Sequence, residues 1–218
     1  MNILYEDNHI IVCEKSVGVL SEHADTLNMP DIIRKHFNDD TAYIGVVHRL
    51  DTAVGGVMVY AKTKFSAANL SEQIKNGQFK KEYLAVVSGC PKESNGTYSD
   101  FLFKDSSSNK VFVVKKERRG VKRAELEYAV LETIKLDDRE ISLVKIMLKT
   151  GRSHQIRVQF ASRKMSLLGD GKYGSRIKCD IALFSSSISF LHPVTNEKIC
   201  FTALPDNTFP FNKFDIKK

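Results

Sequence analysis

Alternation of apolar and polar residues is the feature of this sequence that most restricts its fold, because it recurs along most of the chain. A period of two is typical of strands that bury one face, whereas helical patterns stand out only over 30–37 and 66–76. A polar tip, Ser106–Asn109, joins two alternating segments as a hairpin turn would. The predicted strands, after an opening hairpin over 3–15, are 43–47, 57–61, 80–87, 97–104, 110–115, 124–135 and 141–148. The pattern predicts an α+β fold: a mixed, mainly antiparallel sheet with flanking helices.

Length and charge narrow the class of protein further. The 218 residues, 42% of them hydrophobic, are enough to bury about 70% of the unfolded surface in one core. We therefore expect a single domain over residues 1–218. The formal net charge of +7 favours a polyanionic partner, although many basic proteins have none.

Cysteine spacing and apolar runs indicate a protein of the cytoplasm. The four cysteines lie far apart and form no C-x-x-C pair, so neither a zinc site nor a disulfide framework is expected. Reduced thiols are typical of that compartment. The N-terminus lacks a basic region followed by an apolar stretch, and no run approaches the ~18 apolar residues of a membrane span. We expect a soluble protein that is neither exported nor bound to a membrane.

A lone carboxylate lies in the connection His48–Gly56, between the first two predicted strands that follow the opening hairpin. The permanent charge of Arg49, two residues before Asp51, would keep that carboxylate ionised at the mouth of a cleft. Gly55–Gly56 permits unusual backbone conformations and would leave room for a ligand. An aspartate that only hydrogen-bonds its own turn explains the same residues. From this segment alone, both interpretations stay open.

A second segment, Lys149–Phe160, follows an apolar strand and resembles a glycine turn leading into a helix with Ser153 as its N-cap. The first turn of such a helix would point backbone N–H groups at an anion. His154, Arg157 and Val158 then fall on one side of the helix. The alternative is an amphipathic helix whose arginine and glutamine side chains face water.

Two further segments are notable: a predicted strand that contains a tyrosine, and a run of basic residues. On the predicted strand 80–87, Lys81 and Tyr83 share a face, and a strand tyrosine is usually a core residue. The densest basic run, residues 115–123, is either a solvated loop or a surface that binds a polyanion.

Taken together, these segments resemble a known family over nearly the whole chain. Four motifs occur in the order found in pseudouridine synthases of the RluA type: His48-Arg49-Leu50-Asp51, Lys81-Glu82-Tyr83, Gly151–Arg157 and Leu168–Gly174. Two departures affect loops: Val54-Gly55-Gly56 stands where Thr-Ser-Gly is usual, and Ser16 stands where proline is usual. Many relatives carry an N-terminal S4 RNA-binding domain, and we expect this chain to lack one because it begins on the catalytic-domain hairpin.

The resemblance implies an isomerase that turns uridine in RNA into pseudouridine. The N1–C1' bond breaks, the uracil turns, and a bond forms at C5, so the reaction requires neither cofactor nor metal. Asp51 would be the catalytic carboxylate, as nucleophile at C1' or as base at C2'. Tyr83 would lie against the target base, Arg157 would pair with Asp51, and Arg49 would fill the space left by the extruded base. The implied RNA-binding residues are His48, Arg49, Lys81, Arg152, His154 and Gln155.

The expected partner is ribosomal or transfer RNA, bound by a monomer. Two other classes are open. A non-catalytic RNA-binding module would share the basic charge but has no need of Asp51, Tyr83 and Arg157 in their motifs. A nucleic-acid hydrolase would need a second acid or a cluster of metal-binding carboxylates, and the sequence shows no such cluster.

Overall fold

The structure is a computed structural model that describes residues 1–216. In that range the helices are α1 (Met29–Phe37), α2 (Lys64–Lys75) and α3 (Gln155–Ala161), with 3-10 turns at Gly171–Tyr173 and Phe211–Lys213. The strands are β1 (Asn2–Glu6), β2 (Ile10–Lys15), β3 (Gly45–Val46), β4 (Gly55–Ala61), β5 (Lys80–Ser88), β6 (Asn95–Asp105), β7 (Lys110–Val114), β8 (Val121–Leu136), β9 (Arg139–Leu148), β10 (Leu183–Leu191) and β11 (Lys198–Thr202).

These elements confirm the predicted α+β class and the predicted strands, with shifts at their ends. The sheet is mixed, because β10 runs parallel to β4, whereas the pairs β1–β2, β2–β4, β3–β4, β5–β9, β6–β7, β6–β8, β8–β9 and β10–β11 are antiparallel. The hairpin tip at 106–109 is confirmed between β6 and β7. Two boundaries near the site differ from the predicted ones. Strand β4 begins at Gly55, and helix α3 begins only at Gln155.

By its contacts the chain divides into two compact units. The first unit comprises Met1–Lys81 and Phe184–Pro205, and the second comprises Glu82–Leu183 and the residues from Asp206 onward. The expectation of a single domain stays a prediction. Within residues 1–216, no helix is long and apolar enough to cross a membrane.

In the first unit, β1, β2, β4 and β10 lie side by side, β3 pairs with β4, and β11 pairs with β10. β4 is buried along its whole length, as expected for a central strand. Helix α2, capped by the Thr63 side chain, covers this sheet with Leu70. Phe79 and Phe190 stack beneath it with ring centroids 5.1 Å apart. The Gln73 amide ties α2 to the end of β10 by bonding both backbone groups of Leu191.

In the second unit, an antiparallel sheet has the strand order β5, β9, β8, β6, β7. A bulge between Val130 and Glu132 interrupts the register of the long pair β8 and β9. Helix α3 packs on this sheet through Phe160, which lies edge-on to Tyr98 and Tyr128. Aromatic packing against the sheet therefore holds α3 in place, although the helix has only seven residues.

Candidate active site

Asp51 lies in the first unit, on the short loop between β3 and β4, and is partly buried. The backbone carbonyl of Asp51 accepts a hydrogen bond from Val54 N at 2.9 Å, which closes a turn. On one side of Asp51, the Ser21 hydroxyl donates to Leu50 O at 2.8 Å and accepts from Leu50 N at 3.0 Å. Because both backbone groups of Leu50 are bonded to one buried side chain, the loop has little freedom before Asp51.

On the other side of Asp51, the Thr52 carbonyl is held by the segment that follows β2. It accepts hydrogen bonds from Gly18 N at 2.8 Å and from Lys15 Nζ at 3.3 Å. The Lys15 ammonium also donates to Ser16 O at 3.0 Å and to Val19 O at 2.7 Å. Residues 15–21 thus clamp both neighbours of Asp51; we call these residues the clamp segment.

Lys15 places a buried positive charge near the Asp51 carboxylate. The side chain is only 1% exposed, and burial lowers its pKa from 10.5 to about 8, while the negative charge of Asp51 opposes that shift. Neither Lys15 nor Ser21 was among the site residues predicted from the sequence. The available signal was a lysine at the end of an otherwise apolar strand, where a long charged side chain must find buried acceptors.

The Gly55–Gly56 pair does not open space for a ligand as expected. Gly56 has φ +124°, and a Cβ atom there would overlap the backbone of Ser185. Gly56 and Ser185 are partners in the parallel pair of β4 and β10. The close approach that requires glycine is therefore made by a neighbouring strand, and the expectation of room for a ligand beside Gly56 is wrong.

Arg49 is exposed and forms an ion pair with Glu22, which directly follows the clamp segment. Its Nη1 lies 2.8 Å and 2.9 Å from the two carboxylate oxygens. The contact is held in register because the adjacent residues, Ser21 and Leu50, are bonded to each other. Ion pairs between exposed side chains are worth about 0–1 kcal/mol, so Glu22 is easily displaced from Arg49 by another anion.

His48 is buried and belongs to the core of the first unit. Its Nε2 accepts from Val59 N at 3.2 Å, and its ring lies 5.3 Å from the Phe79 ring. Burial, and secondarily the charge of Lys81, lowers the pKa of His48 to about 3. The imidazole is therefore neutral, and its burial favours a structural role over contact with RNA. Lys81 is partly exposed, and burial lowers its pKa as well.

In the second unit, Arg157 forms a buried ion pair with Asp170. Arg157 Nε donates to Oδ2 at 2.7 Å, and Nη2 donates to Oδ1 at 2.9 Å. Asp170 is fully buried and Arg157 is 6% exposed. The guanidinium also lies over the Tyr173 ring, 5.2 Å from its centroid. Asp170 was expected only as part of the motif Leu168–Gly174, so this partner of Arg157 was missed.

The start of α3 differs from the prediction. His154, not Ser153, is the N-cap, with φ 49°, and no side chain caps the helix. The predicted Ser153 cap is therefore wrong. His154 instead lies 2.9 Å from the Tyr173 hydroxyl through Nδ1. The same hydroxyl accepts from Val111 N at 2.9 Å, which joins the loop of Tyr173 to the β6–β7 hairpin.

Gln155 and Arg152 are anchored to the backbone at this corner. Gln155 Oε1 accepts from Thr150 Oγ1 at 2.8 Å and from Arg152 N at 3.0 Å, and Nε2 donates to Glu125 O at 3.0 Å. Arg152 Nε donates to Arg123 O at 3.0 Å, and the residue is exposed. All residues from Gln155 to Phe160 are buried. The alternative of an amphipathic helix with arginine and glutamine facing water is therefore wrong.

Tyr83 lies on β5 opposite Ile146 of β9 and is 6% exposed. That burial agrees with a core tyrosine and also with one that closes against a base. Among residues 1–216, no group of three His, Cys, Asp or Glu side chains is arranged to hold a metal ion.

The family model described as RNA pseudouridylate synthase matches residues 9–162 of this chain, a span that includes Asp51, Tyr83 and Arg157. The chain belongs to the RNA pseudouridylate synthase family. Enzymes of this family are RNA isomerases, and the clamped loop of Asp51 lies inside the matched span.

Relatives of the same family match over most of the chain. An uncharacterized RNA pseudouridine synthase of Bacillus subtilis is 31% identical over 206 residues, covering 91% of this chain and 67% of the relative. Ribosomal large subunit pseudouridine synthase D of Borreliella burgdorferi is 34% identical over 183 residues, covering 79% of this chain and 54% of the relative. The structure of human RNA pseudouridylate synthase domain containing 1 superposes with a TM-score of 0.77 at 23% identity, covering 96% of this chain and 84% of that one. The human structure supports the fold alone.

Proposed function

We propose that this pseudouridine synthase isomerises uridine in ribosomal RNA, with Asp51 as the catalytic carboxylate. The observation that carries the proposal is the position of Asp51 inside the family match, on a loop clamped on both sides. Relatives named as ribosomal large subunit pseudouridine synthases C and D support ribosomal RNA over transfer RNA. We further propose that both units belong to one catalytic domain, since the match includes residues of each, and that a monomer acts in the cytoplasm.

The chemistry requires an ionised carboxylate held still near the sugar. Asp51 would attack C1' as a nucleophile or remove a proton from C2' as a base. The buried ammonium of Lys15 and the negative charge of Asp51 attract each other. The clamp segment restrains the backbone on either side, so less ordering is needed when RNA binds.

Arg157 and Tyr83 complete the proposed catalytic set. The two bonds to Asp170 fix the plane of the Arg157 guanidinium. A guanidinium oriented in this way is suited to support ionised Asp51, as the family resemblance implies. Tyr83 would lie against the uracil, where its ring stacks and its hydroxyl finds a partner.

The RNA would be held by the exposed cations of the motifs. Arg49 and Arg152 are exposed, and Lys81 and His154 are partly exposed. The basic residues of the run 115–123 are exposed as well, which supports contact with phosphates. Because His48 and Gln155 are buried and bonded to backbone groups, we propose that they shape the site without touching RNA.

Substitution of Asp51 by asparagine tests the catalytic assignment. Tritium release from RNA labelled at C5 of uridine should be abolished, while RNA affinity stays within about tenfold, or 1.4 kcal/mol, because a negative charge near a polyanion is removed. Asp40→Asn, an exposed aspartate of the same unit, serves as the matched control and should keep full activity. Turnover by Asp51→Asn near the wild-type rate would reject the assignment.

The product identifies the class of reaction. An isomerase leaves the length and mass of the RNA unchanged, whereas a hydrolase shortens it. A binding module produces no tritium release in any variant. Pseudouridine mapping in ribosomal and transfer RNA, from cells with and without this gene, identifies the target, and a site lost from transfer RNA alone would reject the ribosomal assignment.

A further inference from the structure

A cavity of about 330 Å³ in the second unit is lined by basic and hydroxyl side chains. Three of its lining residues are cationic: Arg139, Lys164 and Arg176. Ser88, Ser166 and Ser175 add hydroxyl groups. No aspartate or glutamate is among the lining residues. None of the proposed catalytic residues lines the cavity either.

The three cations come from separate segments that the fold holds together. Arg139 begins β9, Lys164 follows α3 with φ 64°, and Arg176 lies in the loop before β10. Ser88 N donates to Ser166 O at 3.0 Å, which ties the end of β5 to the segment that carries Lys164. The convergence of these charges is therefore a property of the tertiary structure.

The loop that carries Arg176 is stabilised by its neighbour. Ser175 Oγ accepts hydrogen bonds from Gly169 N at 3.1 Å and from Ile177 N at 3.3 Å. These bonds hold the backbone on both sides of Arg176. The guanidinium is thus presented from an ordered loop.

Within residues 1–216, no carboxylate forms an ion pair with Arg139, Lys164 or Arg176. Elsewhere in the second unit, arginines do have acidic partners, as in the pair of Arg163 with Asp100. Like charges that converge without a counterion repel one another, and a bound anion removes that cost.

We propose that this cavity binds a phosphate group of the RNA strand. Arginine guanidinium groups bind phosphate through paired N–H donors, lysine adds a point charge, and serine hydroxyls complete the shell. The proposal rests on the proposed function only in that RNA is the source of the phosphate. A contact of this kind positions the strand and does not read its sequence.

The cavity lies away from the residues that we propose to act in catalysis. Ser88 lies five residues beyond Tyr83 on β5, about 17 Å along an extended strand. The bound phosphate would belong to a nucleotide several positions away from the target uridine. Loss of the cavity's charge should therefore weaken binding and leave the chemical step unchanged.

The test compares two triple variants that remove the same charge. Arg139→Gln/Lys164→Gln/Arg176→Gln removes the cavity's cations. Lys64→Gln/Lys92→Gln/Lys198→Gln, the control, removes three exposed lysines from other places. The affinity of each protein for a labelled uridine-containing stem-loop RNA is measured by fluorescence anisotropy over a series of KCl concentrations. Melting curves of both variants establish that they are folded.

For the cavity variant, the slope of log K against log salt should fall by about 0.7 to 0.9, the value for one lost phosphate contact. Its turnover at saturating RNA should match the wild type, and the control should keep the wild-type slope. An equal loss of slope in both variants would overturn the proposal, because net charge alone would explain it. An unchanged slope in the cavity variant would overturn it too.

Inorganic pyrophosphate distinguishes the source of the phosphate. If pyrophosphate binds the wild type but not the cavity variant, and the RNA slopes are equal, the site takes free phosphate and RNA is excluded as its ligand. If the slopes differ as expected but the wild type shows no tritium release, the phosphate contact stands and the proposed function fails.

Discussion

Substitution of Lys15 by methionine should leave stability at pH 7 nearly unchanged while it reduces catalysis. Burial that lowers the pKa of Lys15 from 10.5 to about 8 corresponds to roughly 3 kcal/mol of unfavourable free energy for the charged form. Methionine removes that cost but also removes hydrogen bonds to three carbonyls. Ser16 O and Thr52 O keep backbone donors, from Val19 N and Gly18 N, so only Val19 O loses its donor, at a cost of about 1–3 kcal/mol. The two effects nearly cancel, as in other replacements of buried charges by apolar side chains.

The pH dependence of the free energy of unfolding reports on the buried charge of Lys15. Between pH 8 and 10.5 the folded protein has lost the Lys15 proton, whereas the unfolded chain still holds it. Because the unfolded state then binds more protons, stability rises with pH over that window. The wild type should gain roughly 3 kcal/mol relative to Lys15→Met between pH 7 and pH 11.

Urea denaturation of both proteins across this pH range measures the difference directly, and other titrating groups cancel in the comparison. Lys64→Met, at an exposed position, should show a difference from wild type that does not change with pH. Turnover of Lys15→Met should fall by about 10²-fold, the scale of a misplaced reacting group. A stability difference that stays flat with pH would refute the buried charge, and full turnover would refute the role of the clamp segment.

Three further substitutions test other contacts. Asp170→Ala, which leaves buried Arg157 without this partner, should cost about 3–5 kcal/mol in urea denaturation, and a loss below about 1 kcal/mol would contradict the pair. Glu22→Gln should raise RNA affinity about two- to fivefold by releasing Arg49. The same gain in anisotropy titrations on an Arg49→Ala background would show that Glu22 acts only by general charge. Gly56→Ala should lower the melting temperature sharply, since its Cβ would meet backbone; an unchanged melting curve would contradict that contact.

The strands and the order of the motifs could be predicted because they depend on local pattern. In β8, the buried residues Ala124, Leu126 and Tyr128 alternate with less buried ones, so nearby residues alone determine that this segment forms a strand. The hairpin tip at 106–109 follows from its polar composition. The turn after β3 was also predictable, although its bounds shifted when Gly55 joined β4.

Contacts between distant segments could not be predicted from the chain alone. The requirement for glycine at position 56 arises from Ser185, and the buried partner of Arg157 is Asp170 across a loop. The Ser153 cap failed for the same reason. Gln155 satisfies nearby backbone groups of Arg152 and Glu125, so the start of α3 is set by tertiary bonds and not by a local cap.

The sequence by itself therefore determined the class of fold, the family and the motif around Asp51, because side-chain periodicity and short motifs are properties of neighbouring residues. Only the tertiary structure decided which charges are buried and what they contact. The Lys15 ammonium reaches Thr52 across 37 positions of the chain, and the three cations of the cavity converge from segments that no local pattern relates. Burial and convergence depend on how the whole chain packs, and packing of distant residues is not encoded in any one stretch.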